Sequence, residues 1–254
     1  MPTRHDMFNN YEASVRTFTG NPCSAALLVE QEGPLSVYYA PFEWVNPLAR
    51  VMLVGITPGK VQATNALAEA KSGLLAGLPT AEVLRRAKLT GAFSGAMRPN
   101  LIALMDSIGL PKWLGLRSSE ELFGSAAGLL QTASVLQYPV FLNGENYNGA
   151  PDIAKTPILR RMLVDHFGAM ARRLPDAVFV PLGPVPTKAL AWLSQDGHLP
   201  RGRTLEGLPH PSGANAERIA YFLGRKAKSE LSAKTDPAKL DAAKVKLKAA
   251  VAAL

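Results

Sequence analysis

Short apolar runs and longer amphipathic stretches alternate along this chain, and that alternation carries most of the fold information. Val51-Met52-Leu53-Val54 is apolar throughout and closes on Gly55. A run of this kind predicts a strand buried on both faces. The turn Ile56-Thr57-Pro58-Gly59 follows it, and Val61 to about Leu75 has helical spacing. This strand–turn–helix unit is where open α/β sheets place their ligands. Upstream, a short polar helix is expected around Tyr11–Phe18, then strands at Leu35–Tyr39 and Phe42–Val45 joined by a turn at Ala40-Pro41. Downstream, Thr80–Lys88 has a helical pattern, Gly91–Pro99 reads as a loop, and Leu101–Ile108 reads as a helix capped by Asn100 and stopped by Gly109.

Leu129–Leu136 is a second buried-strand candidate, and residues 137–156 form a long loop rich in Asn, Gly and Pro. Loops of that length are mostly functional or disordered. Pro157–Arg173 is an amphipathic helix, Ala177–Val180 a strand and Thr187–Trp192 a helix. Thr204–Leu208 reads as a last strand leading into His210-Pro211-Ser212-Gly213, after which Ala214–Lys228 is helical. Strand, loop and helix in repeated order imply an α/β fold, a three-layer α/β/α sandwich around a mostly parallel sheet. From Ser229 the composition shifts to Ala and Lys. Asp236-Pro237 is a good helix start, and Leu240, Leu247, Val251 and Leu254 share one helical face. The expected organisation is therefore a domain over 1–228 and a docked C-terminal helix over 229–254.

The chain has 254 residues, within the range of one large α/β domain. Hydrophobic residues make up 47%, enough for a core and unlike a disordered composition. Lys and Arg total 28 against 20 Asp and Glu, a formal charge of +8 that favours an anionic partner. Part of that surplus lies in the tail, where a solvated helix face accounts for it equally well. With Cys23 alone, a disulfide framework, a zinc ribbon and a four-cysteine iron–sulfur cluster are excluded within one chain. No metal or cofactor is expected. The polar N-terminus lacks an apolar signal core, and no stretch reaches the ~18 apolar residues of a spanning helix. A cytoplasmic protein without membrane partners is expected; the oligomeric state is not legible.

Two loops carry candidate chemistry, and both are expected to open at the carboxyl edge of the sheet. In Gly55-Ile56-Thr57-Pro58-Gly59-Lys60-Val61-Gln62, glycines allow close backbone approach and the following helix offers free N–H groups to an anion. The same residues also suit a plain strand–helix turn. In His210-Pro211-Ser212-Gly213-Ala214-Asn215, a histidine at a strand end can donate to an oxygen gathering negative charge. Ser212 and nearby N–H groups can hold a phosphate.

Together, and in this order, these loops resemble the two signature motifs of the uracil-DNA glycosylase superfamily, Gly-x-x-Pro-Gly and His-Pro-Ser. Gly91-Ala92-Phe93-Ser94 is similar to the family segment that stacks an aromatic ring on the base. Thr132-Ala133-Ser134-Val135 stands where a strand side chain reads the base edge, and Val178 to Gly183 resembles the strand before the second motif. The resemblance covers roughly residues 45–228 and implies a glycosylase-like fold. It also implies release of uracil or another deaminated base flipped out of DNA, with uracil-containing, deaminated or abasic DNA as partner. By that resemblance His210 donates to the departing base, Phe93 stacks on it, Ile56 lines the pocket, and Ser134 or Asn143 reads its edge. Pro58, Gly59, Ser212, Gly213, Asn215 and Arg218 would contact the DNA backbone.

The match departs at Thr57, where the family has Asp or Asn. A threonine can hold a water but cannot offset a cationic sugar or act as a base near neutral pH. Gln62 is an amide where one branch carries an acid, so slow or unusual catalysis is expected of Thr57 and Gln62. Two alternatives stand beside this one: a non-catalytic binder of abasic or damaged DNA, and a hydrolase of a small nucleoside-like compound.

Overall fold

The structure, a computed structural model, describes residues 4–90 and 97–254. Helix α1 (Arg4–Arg16) precedes two antiparallel strands, β1 (Leu28–Glu32) and β2 (Leu35–Tyr38). Strand β3 (Val51–Gly55) leads into helices α2 (Lys60–Leu75) and α3 (Thr80–Thr90). Helices α4 (Met97–Ser107) and α5 (Leu110–Leu114) come next, then β4 (Leu130–Ser134). Strands β5 (Val140–Leu142) and β6 (Glu145–Asn146) make a hairpin. Helix α6 (Pro157–Met162) continues through a π turn at Leu163–Gly168 into α7 (Ala169–Ala171). Strand β7 (Val178–Pro181) and helices α8 (Pro184–Gln195), α9 (Ala216–Phe222) and α10 (Pro237–Ala252) complete the order.

The chain divides into two compact units. The first comprises Met1–Val45, Ile56–Ala92 and Ser134–Met170; the second comprises Asn46–Gly55, Phe93–Ala133 and Ala171–Leu254. The first unit holds an antiparallel sheet in the order β1-β2-β5-β6, with Leu35 opposite Leu142 and Val37 opposite Val140. Leu35, Val37, Val140 and Phe141 are buried, as the apolar positions of a covered sheet must be.

The second unit holds a sheet in the order β4-β3-β7, with β3 and β7 parallel and Val51 to Val54 in register with Val178 to Pro181. Val51, Leu53, Val178 and Val180 pack with Leu101, Leu104, Ile219, Phe222 and Leu247 in one buried cluster. Each such side chain taken from water contributes ~1.5–3 kcal/mol. Helix α10 starts where expected: Asp236 accepts from the Lys239 N–H at 3.2 Å, and Pro237 takes the first helical position. Its apolar face supplies Leu247 and Val251 to that cluster, with Leu240 and Leu254 at its rim. The composition change at Ser229 therefore falls inside the second unit and does not mark its edge. Gly207 is required for this docking. At φ +113 it has a left-handed backbone, and a Cβ there would lie 3.0 Å from that of Ala243 in α10.

Several expected elements are corrected. Phe42–Val45 forms no strand; the partner of β2 is β1, which the polar Glu30-Gln31-Glu32 disguised. The sheet is parallel only among β4, β3 and β7, because the 137–156 segment folds into the β5–β6 hairpin and adds to an antiparallel sheet. Thr204–Leu208 is reduced to a single parallel bridge, Phe179 to Thr204. Asn100 lies inside α4 and caps nothing, since the helix begins at Met97. Gly109, at φ +85, does end that helix.

Candidate functional site

In the first unit, the turn after β3 is fastened by the backbone and side chains around it. The Ile56 carbonyl accepts from the Leu136 N–H at 2.9 Å. The Thr57 hydroxyl donates to the Tyr138 carbonyl at 3.0 Å and accepts from the Val140 N–H at 3.1 Å. Its proton and one lone pair are thus committed to holding the 138–140 segment. Only one lone pair remains for a water, and none of its chemistry supplies a base. Pro58 is buried. Gly59 has φ −81, a conformation open to any residue. Its N–H donates to Gln62 Oε1 at 2.8 Å, so Gln62 acts first as the cap of α2. The Lys60 N–H donates to Asn146 Oδ1 at 3.0 Å.

Replacing Thr57 with Val tests this clamp. The isosteric change strips the buried Val140 N–H and the Tyr138 carbonyl of a partner. It should cost about 1–3 kcal/mol, whereas Thr57→Ser should stay within about 1 kcal/mol of the parent in urea unfolding. Equal stability of parent and Thr57→Val would show that the clamp is idle.

The expected base-contacting residues are distributed as follows. Ser134 is half-buried at the end of β4. Asn143 is exposed at the tip of the β5–β6 hairpin with φ +52, ahead of Gly144 at φ +80. Two consecutive left-handed residues make the turn that Asn-Gly favours, which is the place turn chemistry assigns it. Phe93 lies outside the described residues. The amide beside the first motif is instead Asn146, and Gln137 was also missed. Gln137 is 2% exposed, and among the described residues neither of its side-chain polar atoms has a hydrogen-bond partner.

A buried polar group lies behind the Thr57 clamp. The Tyr138 hydroxyl donates to Glu43 Oε1 at 3.3 Å, and among the described residues the other carboxylate oxygen of Glu43 meets no hydrogen-bond partner. Glu43 is 4% and Lys88 5% exposed, and the Lys88 ammonium donates to the Phe42 carbonyl. Burial pushes the Glu43 carboxyl up to about 7, with the tyrosine hydroxyls and Lys88 offsetting it in part.

In the second unit, the His210 ring lies over Gly183, the residue that follows β7 by way of Leu182. A Cβ on Gly183 would come within 3.4 Å of the ring carbon Cδ2, and its φ of +95 also demands glycine. Asn100 reaches from α4 to donate to the Pro211 carbonyl at 3.0 Å, which pins the loop. The Ser212 N–H lies 3.2 Å from His210 Nδ1, and Ser212 Oγ lies 3.0 Å from it. An amide can only donate, so Nδ1 is the acceptor and the neutral ring carries its proton on Nε2. Burial lowers the pKa of His210 and keeps it in that neutral form. Among the described residues, no hydrogen-bond partner occupies Nε2.

The remaining residues of the loop divide. Gly213 is exposed, with open space where a Cβ would stand. Ser212 Oγ faces His210 and also accepts from Asn215 Nδ2 at 3.3 Å. Arg218 donates to Asn215 Oδ1 and to the Lys234 carbonyl, at 2.7 and 3.1 Å. Asn215 and Arg218 are thus turned toward protein atoms. The contacts of Asn100, Gly183, Glu43, Tyr138 and Asn146 carried no local signal, because each acts on a residue far away in sequence.

The fold and this loop define an α/β protein with a neutral imidazole donor set past the carboxyl end of a parallel strand. The chain is 36% identical over 216 residues to the uncharacterized protein YoxB of Bacillus subtilis (strain 168), covering 84% of each chain, and it belongs to the same family. No protein-family model and no solved structure matches the chain. Among the described residues, no helix is long and apolar enough to cross a membrane.

Proposed function

We propose that this protein is a DNA glycosylase that releases uracil or another deaminated base flipped out of DNA. One observation carries the reading. His210 is anchored through Nδ1, so a neutral Nε2–H donor stands beyond β7. The motif Gly55-Ile56-Thr57-Pro58-Gly59 leaves the carboxyl end of the adjacent parallel strand β3. When the bond from C1′ to the base nitrogen breaks, its electron pair passes to the base and spreads onto its carbonyl oxygens. A fixed neutral donor stabilises that anion without giving up its own proton. Water then adds to the cationic C1′ and gives a proton to the solvent, from which the released base anion takes one up. The uracil-DNA glycosylase-like arrangement implied by the two motifs supplies the remaining roles. Gly213, with open space where a Cβ would stand, would present its backbone to a phosphate. The +8 charge supports an anionic polymer as partner, bound in a salt-dependent manner.

A second reading, a non-catalytic binder of abasic or damaged DNA, is favoured by the Thr57 hydroxyl. Both of its hydrogen bonds go to the backbone of 138–140, and no carboxylate stands at that position. Oligonucleotides carrying a single uracil, hypoxanthine or xanthine separate the two. The protein should convert at least one of them to an alkali-labile abasic product. If stoichiometric protein releases none of the three, the glycosylase reading fails. A salt-dependent shift of abasic duplex in the same preparation would then establish the binder.

A further inference from the structure

The hydrogen bonds of the His210 loop do not end at the loop. They run from His210 Nδ1 to Ser212 Oγ at 3.0 Å, and on to Asn215 Nδ2 at 3.3 Å. Asn215 Oδ1 then receives Arg218 Nη1 at 2.7 Å, and Arg218 Nη2 reaches the Lys234 carbonyl at 3.1 Å. The far end of this chain lies in the segment where the composition turns to Ala and Lys.

That far end is fastened independently. Glu217, beside Arg218 on α9, accepts from Thr235 Oγ1 at 2.5 Å, from the Ser232 hydroxyl at 2.7 Å and its N–H at 3.1 Å, and from Lys226 at 3.1 Å. Leu247 and Val251 of α10 are buried in the same cluster as Ile219 and Phe222 of α9. The Lys234 carbonyl is therefore a fixed point. A guanidinium bridging it to Asn215 fixes the amide in turn, because its planar donors impose an orientation that a lysine would not.

We propose that Arg218 is a positioning residue, tying the imidazole of His210 to the C-terminal segment through Asn215 and Ser212. The residue that a DNA-gripping or wedging role would need free is a strut. The 229–254 segment then belongs to the machinery of the His210 loop and is no detachable tail. Its importance for base release rests on the glycosylase reading above; the placement of the imidazole does not.

The test reads the imidazole directly. In full-length 15N-labelled protein, long-range proton–nitrogen spectra report which ring nitrogen of each of the four histidines carries the proton. His210→Gln assigns the signal. The parent should show the Nε2–H form alone. Arg218→Ala should introduce a mixture of both neutral forms and raise the titration midpoint toward that of a free histidine. Asn215→Ala, which cuts the chain one link closer, should do the same. Lys234→Ala, which keeps the carbonyl, should change neither. A signal unaltered in Arg218→Ala overturns the proposal, as does one altered in Asn215→Ala only. If Arg218→Ala does not fold, the same spectra of Arg218→Lys read the signal in a variant that keeps the charge but loses the bridge. An unaltered signal there also overturns it. Failure of the parent to release any base would sink the glycosylase reading and leave this result standing.

Discussion

His210→Ala is expected to slow base release by about 100-fold or more, because an aimed donor of this kind is worth ~3 kcal/mol at the moment charge appears on the leaving group. The size of the effect follows from preparation. Nδ1 is occupied by Ser212, the ring rests on Gly183, and Asn100 holds the Pro211 carbonyl, so no reorganisation is needed when the anion forms. His210→Gln keeps an N–H donor but loses the anchored ring, and should fall between the parent and alanine. The pH profile distinguishes the protonation state. Burial lowers the pKa of His210, so the ring is neutral above its ordinary pKa near 6.5. The His210-dependent part of the rate should then stay level as pH rises from about 6.5 to 9. A rate that dropped across that window would identify the imidazolium as the donor and overturn the neutral-donor account.

What could be read ahead of the structure follows the range over which the forces act. Helix α10 was legible because its start is local chemistry, an Asp cap before a Pro, and its buried face repeats at helical spacing. Strand β3 was legible because four consecutive apolar residues, all fully buried, sit between polar neighbours. Strand β1 was not, since none of Leu28-Val29-Glu30-Gln31-Glu32 is fully buried and the strand depends on its pairing with β2. The 137–156 segment looked like a loop because Asn143-Gly144 was weighed as a turn without the two short strands it joins.

The candidate site divides in the same way. That His210 and Ser212 share one loop was legible, but the contact of Ser212 with Nδ1 was not anticipated. The Gln62 cap on Gly59, a three-residue relation, was not anticipated either. The roles of Thr57 and Arg218 were not legible. A hydroxyl that clamps Tyr138 and Val140, and a guanidinium that reaches Lys234, depend on where distant segments settle. Fold class came from patterns a few residues long. Among the contacts that the sequence did not show, those of Arg218 and Thr57 reach partners 16 and more than 80 residues away.

Glu43 sets the last large expectation, a stability that falls as the solution becomes more alkaline. Its carboxyl is raised by burial to about 7 in the folded chain, against 4.5 for an ordinary glutamate. Between those values the folded chain keeps a proton that the unfolded chain has released, so unfolding is favoured as pH rises. The stabilisation is whole below about 4.5 and lost as pH passes through 7, a difference of about 3 kcal/mol. His210 works in the opposite sense, since its depressed pKa costs stability as pH falls. Comparison with Glu43→Gln isolates the carboxyl: the amide keeps the oxygen that receives the Tyr138 hydroxyl but cannot ionise. Urea unfolding at pH 5 and pH 8 should show the parent losing about 3 kcal/mol more than the variant over that interval. Parallel behaviour of the two would mean that Glu43 ionises in the folded chain as readily as in water. The buried group behind Thr57 would then have to contain a compensating charge, and Lys88, which faces the same interior, is the residue whose replacement by Met would reveal it.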